Sequence, residues 1–372
     1  MQDAKAVVFT EPGKIEVQSF KIAECGAEDI VVRTLYTMVS AGTELRVLAG
    51  HYGAAGKFPL IPGYSVVGEV VSVGEKVKGF KPGDLISGRN PSAIPGITSY
   101  WGGQASLHVY RTKGEDRPVI LPVGANPLDY VIAEISAISL RGVEAAAPKS
   151  GESAVVIGQG LIGAFSAAWL HSRGCRVIVT DIEQSRLDRA LGWGAFAAVK
   201  STPKKPAAAD ETKGNPLTAG GPVDEEIEAR LAMLLNGGAD IVVESSGTPY
   251  GALLSYRLAR RKPQNYSNEY KVEPIAFYHQ DWPRIIMQAN YLEPVALNPF
   301  GFVPGEGVTI LAPKDRGVED RQKAVEGIRR GLIKSSHFVD KVVPYNDAPA
   351  AYLSLRDDKN SNFSLVIDWS KA

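Results

Sequence analysis

A glycine-rich segment, Gly158-Gln-Gly160-Leu-Ile-Gly163, carries the strongest chemical signal in the sequence. It follows an apolar run at 154–157 and begins a stretch, 161–172, that is predicted to be helical. The first glycine permits a tight turn, the second lets backbone N–H groups approach a pyrophosphate, and the third lets helix and strand pack closely. The helix N-terminus would face the phosphates, so the segment predicts a dinucleotide site. Its predicted cofactor residues are Gly158, Gly160, Leu161, Ile162 and Gly163.

A carboxylate follows at the expected distance, because the next predicted strand, 176–180, ends at Asp181. A carboxylate at this position accepts both hydroxyls of an adenine ribose and repels a 2′-phosphate, which favours NAD over NADP. Arg186 leaves NADP open, because an arginine near the ribose can accommodate that phosphate. Ile182 is a further predicted cofactor contact. The alternative is that the glycines and the aspartate serve only turns and a helix cap.

Other candidates follow later predicted strands, at the end of a parallel sheet where ligands bind. Apolar runs at 240–244 and 272–276 predict these strands. A loop histidine and a strand-end histidine are candidate substrate contacts. Strand-end packing, or simple exposure of the loop histidine, is the alternative. The candidates are Ser245, Ser246, Phe277 and Tyr278 for the cofactor, and His51 and His279 for the substrate.

Two different patterns of elements would position these residues. Short β-branched segments separated by Pro and Gly fill the first hundred residues and predict a small barrel or sandwich. After about residue 127, apolar strands alternate with predicted helices at 128–144, 161–172 and 185–191, which is typical of a doubly wound α/β domain. The stretches 201–222 and 257–271 are predicted loops, and 290–307 is a candidate lid or dimer contact.

Composition narrows the classes of protein. The 372 residues are 44% apolar, and 41 Lys+Arg balance 41 Asp+Glu, so no global positive charge favours nucleic acid or a membrane surface. Only two cysteines, Cys25 and Cys175, are present, which excludes a four-thiolate zinc site or iron–sulfur cluster. We find no secretory signal and no apolar run of 18 residues. A cytoplasmic protein with a small-molecule substrate is expected.

Several segments, in order, resemble the medium-chain dehydrogenase/reductase superfamily over nearly the full chain. Besides the glycine-rich segment they are Ala41-Gly-Thr-Glu-Leu45, Pro59–Gly68, Val77–Asp84 and Gly102–Ser106. The resemblance implies a GroES-like β-barrel catalytic domain at 1–135 and 318–372 and a Rossmann domain at 136–317. It also implies an active site in the cleft between the domains and a homodimer or homotetramer.

The departures from this family are as informative as the matches. Zinc-dependent members place cysteine and histidine ligands where this chain has Ala41 and Tyr64, and a carboxylate where it has Ser65. Glu134 matches a third ligand position, but one carboxylate does not hold zinc alone. The structural-zinc lobe is also missing, since 85–101 contains no cysteine. The chain therefore resembles a zinc-independent branch that includes bacteriochlorophyllide hydroxyethyl dehydrogenases and cyclitol or sugar dehydrogenases.

Without a metal, side chains must move the proton and stabilise the oxyanion. Thr43 matches the family position that relays the proton, although it could instead cap the following helical turn. Glu44 is a candidate base or the partner of a structural hydrogen bond or ion pair, for example with Arg46. Tyr64 either donates to the substrate oxygen or fills the space of the metal. Glu134, in an apolar stretch, is a candidate base because burying an unpartnered carboxylate is costly.

These residues predict a zinc-independent, NAD-dependent oxidoreductase. Its substrate would be a secondary alcohol, or the corresponding ketone, of a polyol, sugar or cyclitol. Two alternatives stay open: an NAD(P)H-dependent reductase of activated C=C bonds, and a non-catalytic NAD-binding redox sensor. The sequence leaves open the substrate, the reaction direction and the identity of the general acid or base.

Overall fold

The computed structural model describes residues 2–201, 225–259, 282–292, 308–314, 317–358 and 362–372. The chain divides into two compact units. We call Met1–Ile138 with Asp315–Ala372 the first unit, and Ser139–Lys314 the second unit. The bounds predicted for the two domains lie close to these.

The described residues form the following strands and helices. The strands are β1 (Asp3–Glu11), β2 (Lys14–Lys21), β3 (Asp29–Met38), β4 (Leu60–Ile61), β5 (Ser65–Val73), β6 (Leu85–Gly88), β7 (Thr98–Ser99), β8 (Leu107–Arg111), β9 (Val119–Ile120), β10 (Ser153–Ile157), β11 (Arg176–Asp181), β12 (Ala197–Lys200), β13 (Ile241–Glu244), β14 (Arg284–Met287), β15 (Thr309–Leu311), β16 (Lys341–Pro344) and β17 (Leu365–Asp368). The helices are α1 (Ala41–Leu48), α2 (Pro127–Tyr130), α3 (Ala133–Ala145), α4 (Leu161–Ser172), α5 (Gln184–Trp193), α6 (Glu225–Leu235), α7 (Pro249–Leu258), α8 (Val318–Arg329) and α9 (Ala348–Asp357).

The first unit is built on two β-sheets. One has the strand order β2-β1-β4-β7, and the other has the order β16-β17-β3-β5-β6-β9, with β8 paired to β3. The short strands confirm the β-rich pattern predicted for the first hundred residues. Helix α1 packs its buried Val47 and Leu48 into a core that also contains Tyr352 of α9 and Trp369 after β17. This core fixes the helix that carries Thr43 and Glu44.

The prediction of a single helix at 128–144 is wrong. Two helices, α2 and α3, occupy this stretch, and a short turn at residues 131 and 132 separates them. The carbonyl oxygen of Val131 accepts a hydrogen bond from Ser65 Oγ at 2.9 Å, so a tertiary contact satisfies a backbone group in this turn. Glu134 consequently lies in the first turn of a new helix.

The second unit is built on one six-stranded parallel sheet with the order β12-β11-β10-β13-β14-β15. All five residues of β10 are buried, as expected for a central parallel strand covered on both faces. The strands predicted at 154–157, 176–180 and 240–244 and the helix predicted at 161–172 are confirmed. The carboxyl ends of β10, β11 and β13 therefore share one edge of the sheet.

Several predictions fall on other parts of the chain. Residues 202–222, 260–271, 272–276 and 293–307 lie outside the described residues, as do Phe277, Tyr278 and His279. Within the predicted basic loop at 257–271, Arg257 lies in α7 and pairs with Glu228 at 2.9 Å. In the described part of the chain, we find no helix long and apolar enough to span a lipid bilayer.

Candidate active site

Of the three glycines in the turn between β10 and α4, only Gly160 has free space where a side chain would stand. Gly158 has a φ of 86°, and a Cβ there would lie 2.8 Å from the backbone nitrogen of Ser246. A Cβ on Gly163 would collide with the carbonyl oxygen of Gly158, whereas a Cβ on Gly160 would meet nothing within 4 Å. Gly160 therefore faces open space that a side chain would fill, as a pyrophosphate cradle requires.

The first turn of α4 supplies the polar groups of this cradle. Gly160 is its N-cap residue and offers no side chain to cap the helix, so backbone N–H groups and the positive helix end are left for an anion. Leu161 is buried and Ile162 is half-buried, so their side chains pack inward. These two residues would contribute backbone atoms, and the local geometry fits a dinucleotide.

Asp181 is buried at the end of β11, beside the glycine-rich turn. Its Oδ2 accepts a hydrogen bond from the Gln159 amide at 2.5 Å, and its Oδ1 accepts one from the Glu183 amide at 2.8 Å. Arg186 Nη1 lies 3.8 Å from Oδ2, while the side chain of Ile182 is exposed. The structure thus places Asp181 next to Arg186. At this position a carboxylate accepts ribose hydroxyls, whereas an arginine can accommodate a 2′-phosphate.

Ser245 and Ser246 lie against the same turn, at the end of β13. Ser245 Oγ lies 2.9 Å from the carbonyl oxygen of Ile157 and 3.0 Å from that of Gly158. Ser246 donates its amide to Glu244 Oε1 at 2.8 Å. The two serines therefore shape the turn through backbone contacts.

Glu244 is a residue that the sequence reasoning missed. It is fully buried, and Tyr291 and Ser246 donate their hydroxyl groups to its carboxylate. Burial raises its pKa, and these donors oppose the rise. The sequence signal for Glu244 was a carboxylate that directly ends an apolar strand, as Asp181 does at the end of β11.

In the first unit, three hydroxyl groups meet at the start of α1. Tyr64 donates to Ser40 Oγ at 2.6 Å, and the hydroxyl of Thr43 also hydrogen-bonds Tyr64. Burial raises the pKa of Tyr64 to about 12, so the phenol is neutral and serves as a donor. We call Ser40, Thr43 and Tyr64 the hydroxyl triad. Thr43 is not the cap considered above: Ser40 holds the N-cap position, and Thr43 lies inside the helix.

Glu44 is buried beneath this triad and does not pair with Arg46. Its Oε1 accepts the Ser40 amide at 2.7 Å, and its Oε2 accepts Gln104 Nε2 at 3.1 Å and the hydroxyl of Tyr352. Burial raises its pKa to about 7, against the effect of these donors. Glu44 therefore fixes the backbone of Ser40 through uncharged partners, which corrects the suggested ion pair.

Glu134 is also buried but is surrounded by guanidinium groups. Arg89 Nη1 lies 3.1 Å from its Oε1, and Arg321 Nε lies 3.6 Å from its Oε2. Arg321 is fully buried, and Arg89 also pairs with Asp116 at 2.8 Å. The partner that the sequence reasoning found lacking is thus supplied by arginines distant in the chain. His51, by contrast, is exposed in the turn after α1.

Comparison with known proteins agrees with this architecture. Residues 26–112 match the family model of the alcohol dehydrogenase GroES-like domain. The chain is 27% identical to the sorbitol dehydrogenase of Halalkalibacterium halodurans over 281 residues, which are 70% of this chain and 75% of that one. The chain is therefore similar to zinc-type alcohol dehydrogenase-like proteins.

Two further proteins show how far the likeness extends, one in sequence and one in fold. The D-altritol 5-dehydrogenase of Agrobacterium fabrum is 31% identical over 221 residues, covering 53% of this chain and 64% of that one. A solved alcohol dehydrogenase from Escherichia coli CFT073, complexed with NADH, superposes with a TM-score of 0.76 at 15% identity, covering 99% of this chain and 100% of the other. The predicted fold class, a GroES-like domain with a parallel-sheet Rossmann-like domain, is confirmed.

The residues of this chain do not fit the zinc ion that its family resemblance implies. At the positions of two zinc ligands the chain has the methyl group of Ala41 and the phenol of Tyr64, whose hydroxyl is already bonded to Ser40. Ser65 Oγ is bonded to Val131, and Glu134 to arginine. Within the described residues, no group of three or more His, Cys, Asp or Glu side chains is placed to hold a metal.

Proposed function

We propose that the chain is a zinc-independent, NAD-dependent oxidoreductase. It transfers a hydride between nicotinamide and a secondary alcohol, or the corresponding ketone, of a polyol, sugar or cyclitol-like substrate. The observation that carries this proposal is the hydroxyl triad, which gathers proton donors and acceptors around Tyr64, a position where the family resemblance places a zinc ligand. Polyol dehydrogenases among the relatives support the substrate class.

The second unit holds the cofactor in this proposal. Bound NAD supplies the hydride acceptor, or NADH the donor. The first-turn N–H groups of α4 hold the pyrophosphate, and the missing side chain at Gly160 allows their close approach. Asp181 accepts the ribose hydroxyls, and its charge disfavours a 2′-phosphate.

The first unit handles the proton. As an alcohol is oxidised, its hydroxyl proton leaves while the hydride departs from carbon, and negative charge develops on oxygen. With substrate bound, the neutral Tyr64 hydroxyl turns its one hydrogen from Ser40 Oγ to this oxygen. The alcohol's proton passes to the hydroxyl of Thr43 or Ser40, which releases its own proton to solvent water. Glu44 is a positioning residue, because it holds the Ser40 amide and not the substrate.

The experiment is NADH formation by protein dialysed against a chelator. With sorbitol and NAD, we expect an increase in absorbance at the NADH band without added metal, and no further increase when zinc is restored. An activity that appears only after zinc is added contradicts the proposal. Metal content of the dialysed protein, measured by mass spectrometry, is the control.

Cofactor choice is tested separately, because Arg186 lies beside Asp181. We expect NADH to bind more tightly than NADPH, and Asp181→Ser to reduce or reverse this preference. Arg186→Ala should weaken NADPH more than NADH. Clear NADPH preference in the wild type, together with turnover of enones, would instead favour a reductase of activated C=C bonds.

Assembly and location stay predictions. The homodimeric or homotetrameric state implied by the family resemblance is tested by sedimentation of the purified chain. The cytoplasmic location is tested by fractionating cells that express it.

A further inference from the structure

Three aromatic rings pack in series at the hydroxyl triad in the first unit, and a hydrogen bond links them to the loop of a fourth. The ring of Tyr64 packs edge-on against Trp101 at 5.3 Å, and Trp101 packs against Tyr100 at 4.7 Å. Tyr100 donates its hydroxyl to the carbonyl oxygen of Tyr52, which joins the loop after α1 to the loop after β7. We call Tyr52, Tyr64, Tyr100 and Trp101 the aromatic platform. Each ring is half-buried, so part of it faces solvent.

The backbone of this platform is strained at two bulky residues. Tyr52 has a φ of 60° and Trp101 a φ of 66°, values that aromatic residues rarely adopt. Such conformations persist where the surroundings fix them, and they concentrate at ligand-binding sites. Both rings contact the apolar core of the first unit, and part of each ring still reaches solvent. The strain therefore favours a binding role for the exposed faces of the platform.

The loops that carry the platform are cationic. The guanidinium of Arg46 lies 5.8 Å from the centre of the Tyr52 ring, and Lys57 Nζ lies 5.0 Å from the centre of the Tyr100 ring. The segments 45–63 and 89–106 contain no Asp or Glu at all. A ligand on the platform therefore meets positive charge at its rim, without a carboxylate from either segment to repel an anion.

We propose that the substrate is a hydroxylated chain or ring that carries an anionic group, a carboxylate or a phosphate. This inference rests on the proposed function and names the substrate class. The C–H face of the polyol stacks on Trp101, its reacting hydroxyl lies at Tyr64, and the anionic group lies near Lys57 and Arg46. Aromatic faces suit the apolar side of a sugar, and cations suit the anion.

The test is binding, measured by isothermal titration calorimetry, with three ligands that share a carbon skeleton: sorbitol, sorbitol 6-phosphate and gluconate. We expect both anionic ligands to bind at least about tenfold more tightly than sorbitol, with a preference that declines as salt is added. Equal affinity for sorbitol and both anions, or no binding of any of the three, would overturn the inference.

Two substitutions test the contributions of the cations and of the aromatic rings separately. Lys57→Gln should weaken the anionic ligands about fivefold and leave sorbitol unchanged, since an exposed cation contributes modestly. Trp101→Leu keeps an apolar side chain and should weaken all three. Lys21→Gln, an exposed lysine of β2, is the matched control and should change nothing. A Lys57→Gln protein that loses affinity for sorbitol as much as for its phosphate contradicts the assignment.

Turnover distinguishes this inference from the proposed function. Selective binding of the anionic ligands without NADH formation contradicts the proposed function and supports the substrate site. NADH formation from neutral polyols, with no preference for the anionic ones, contradicts the substrate site alone.

Discussion

Two buried carboxylates of the first unit, Glu44 and Glu134, have nearly the same exposure and opposite surroundings. Glu44 accepts hydrogen bonds from an amide side chain, a phenol and a backbone N–H, with no cation among these partners. Glu134 lies between Arg89 and Arg321. Burial raises the pKa of Glu44 to about 7, whereas guanidinium groups balance the charge of Glu134.

The difference shows that burial alone does not mark a catalytic base. Both glutamates are candidates on sequence grounds, because each lies where a carboxylate is expensive to bury. The contacts give them different tasks: Glu44 fixes Ser40 at the start of α1, and Glu134 joins α3 to α8 through Arg321. Neither task requires contact with a substrate, which leaves the proton chemistry to the hydroxyl triad.

The largest expected effect comes from removing the cation at Glu134. Arg321→Met should lower the free energy of unfolding by roughly 3–5 kcal/mol, because it leaves a buried carboxylate with only part of its counter-charge. Urea denaturation measures this loss. Arg329→Met, which breaks an exposed pair with Glu326 on the same helix, is the control and should leave the midpoint unchanged. A loss below about 1 kcal/mol for Arg321→Met would break the comparison.

Replacement of each glutamate by glutamine gives the next largest loss of stability. Glu134→Gln should destabilise the protein by about 3 kcal/mol, since the fully buried Arg321 loses the carboxylate beside it, while Arg89 keeps Asp116. Glu44→Gln should cost only about 1 kcal/mol, because the amide oxygen still accepts from neutral donors. Equal losses in urea denaturation would show that the two environments do not differ as described.

The pH dependence of stability gives a smaller and more specific effect. The pKa of Glu44 is raised from 4.5 to about 7 in the folded chain, so its contribution is complete below pH 4.5 and is lost as the pH rises through 7. Relative to wild type, Glu44→Gln should therefore gain stability between pH 5 and pH 8, on the order of 2 kcal/mol. Denaturation at several pH values measures the gain. A constant difference would contradict the buried, neutral-partner description.

A buried histidine gives the free energy of unfolding a pH dependence of opposite slope. Its contribution must cancel in that experiment. Burial lowers the pKa of His108 to about 4, although a hydrogen bond to the Gly103 carbonyl opposes this change. Its contribution is complete above pH 6.5 and is lost as the pH falls through 4. Because His108 is present in both proteins, the difference between wild type and Glu44→Gln isolates Glu44.

How much the sequence predicts depends on how local the determining contacts are. Helix α4 and Asp181 follow from glycine spacing and a strand end within one segment, and the structure brings them together as expected. The turn before α3 is hydrogen-bonded by Ser65, and the charge balance of Glu134 depends on Arg321 from α8. Contacts between residues so distant in the chain leave no local pattern, so the single helix and the unpartnered glutamate were the available interpretations.

The most direct test of the hydroxyl triad is the kcat of Tyr64→Phe in chelator-dialysed protein. Removing one donor to the developing oxyanion should lower kcat by about 100- to 1,000-fold, with the affinity for NADH and the unfolding midpoint close to wild type. Tyr345→Phe, at a ring that stacks on Trp369 and takes no part in the hydroxyl triad, is the matched control and should retain full activity. A Tyr64→Phe protein with wild-type kcat, or one whose lost activity is restored by zinc, would contradict the account.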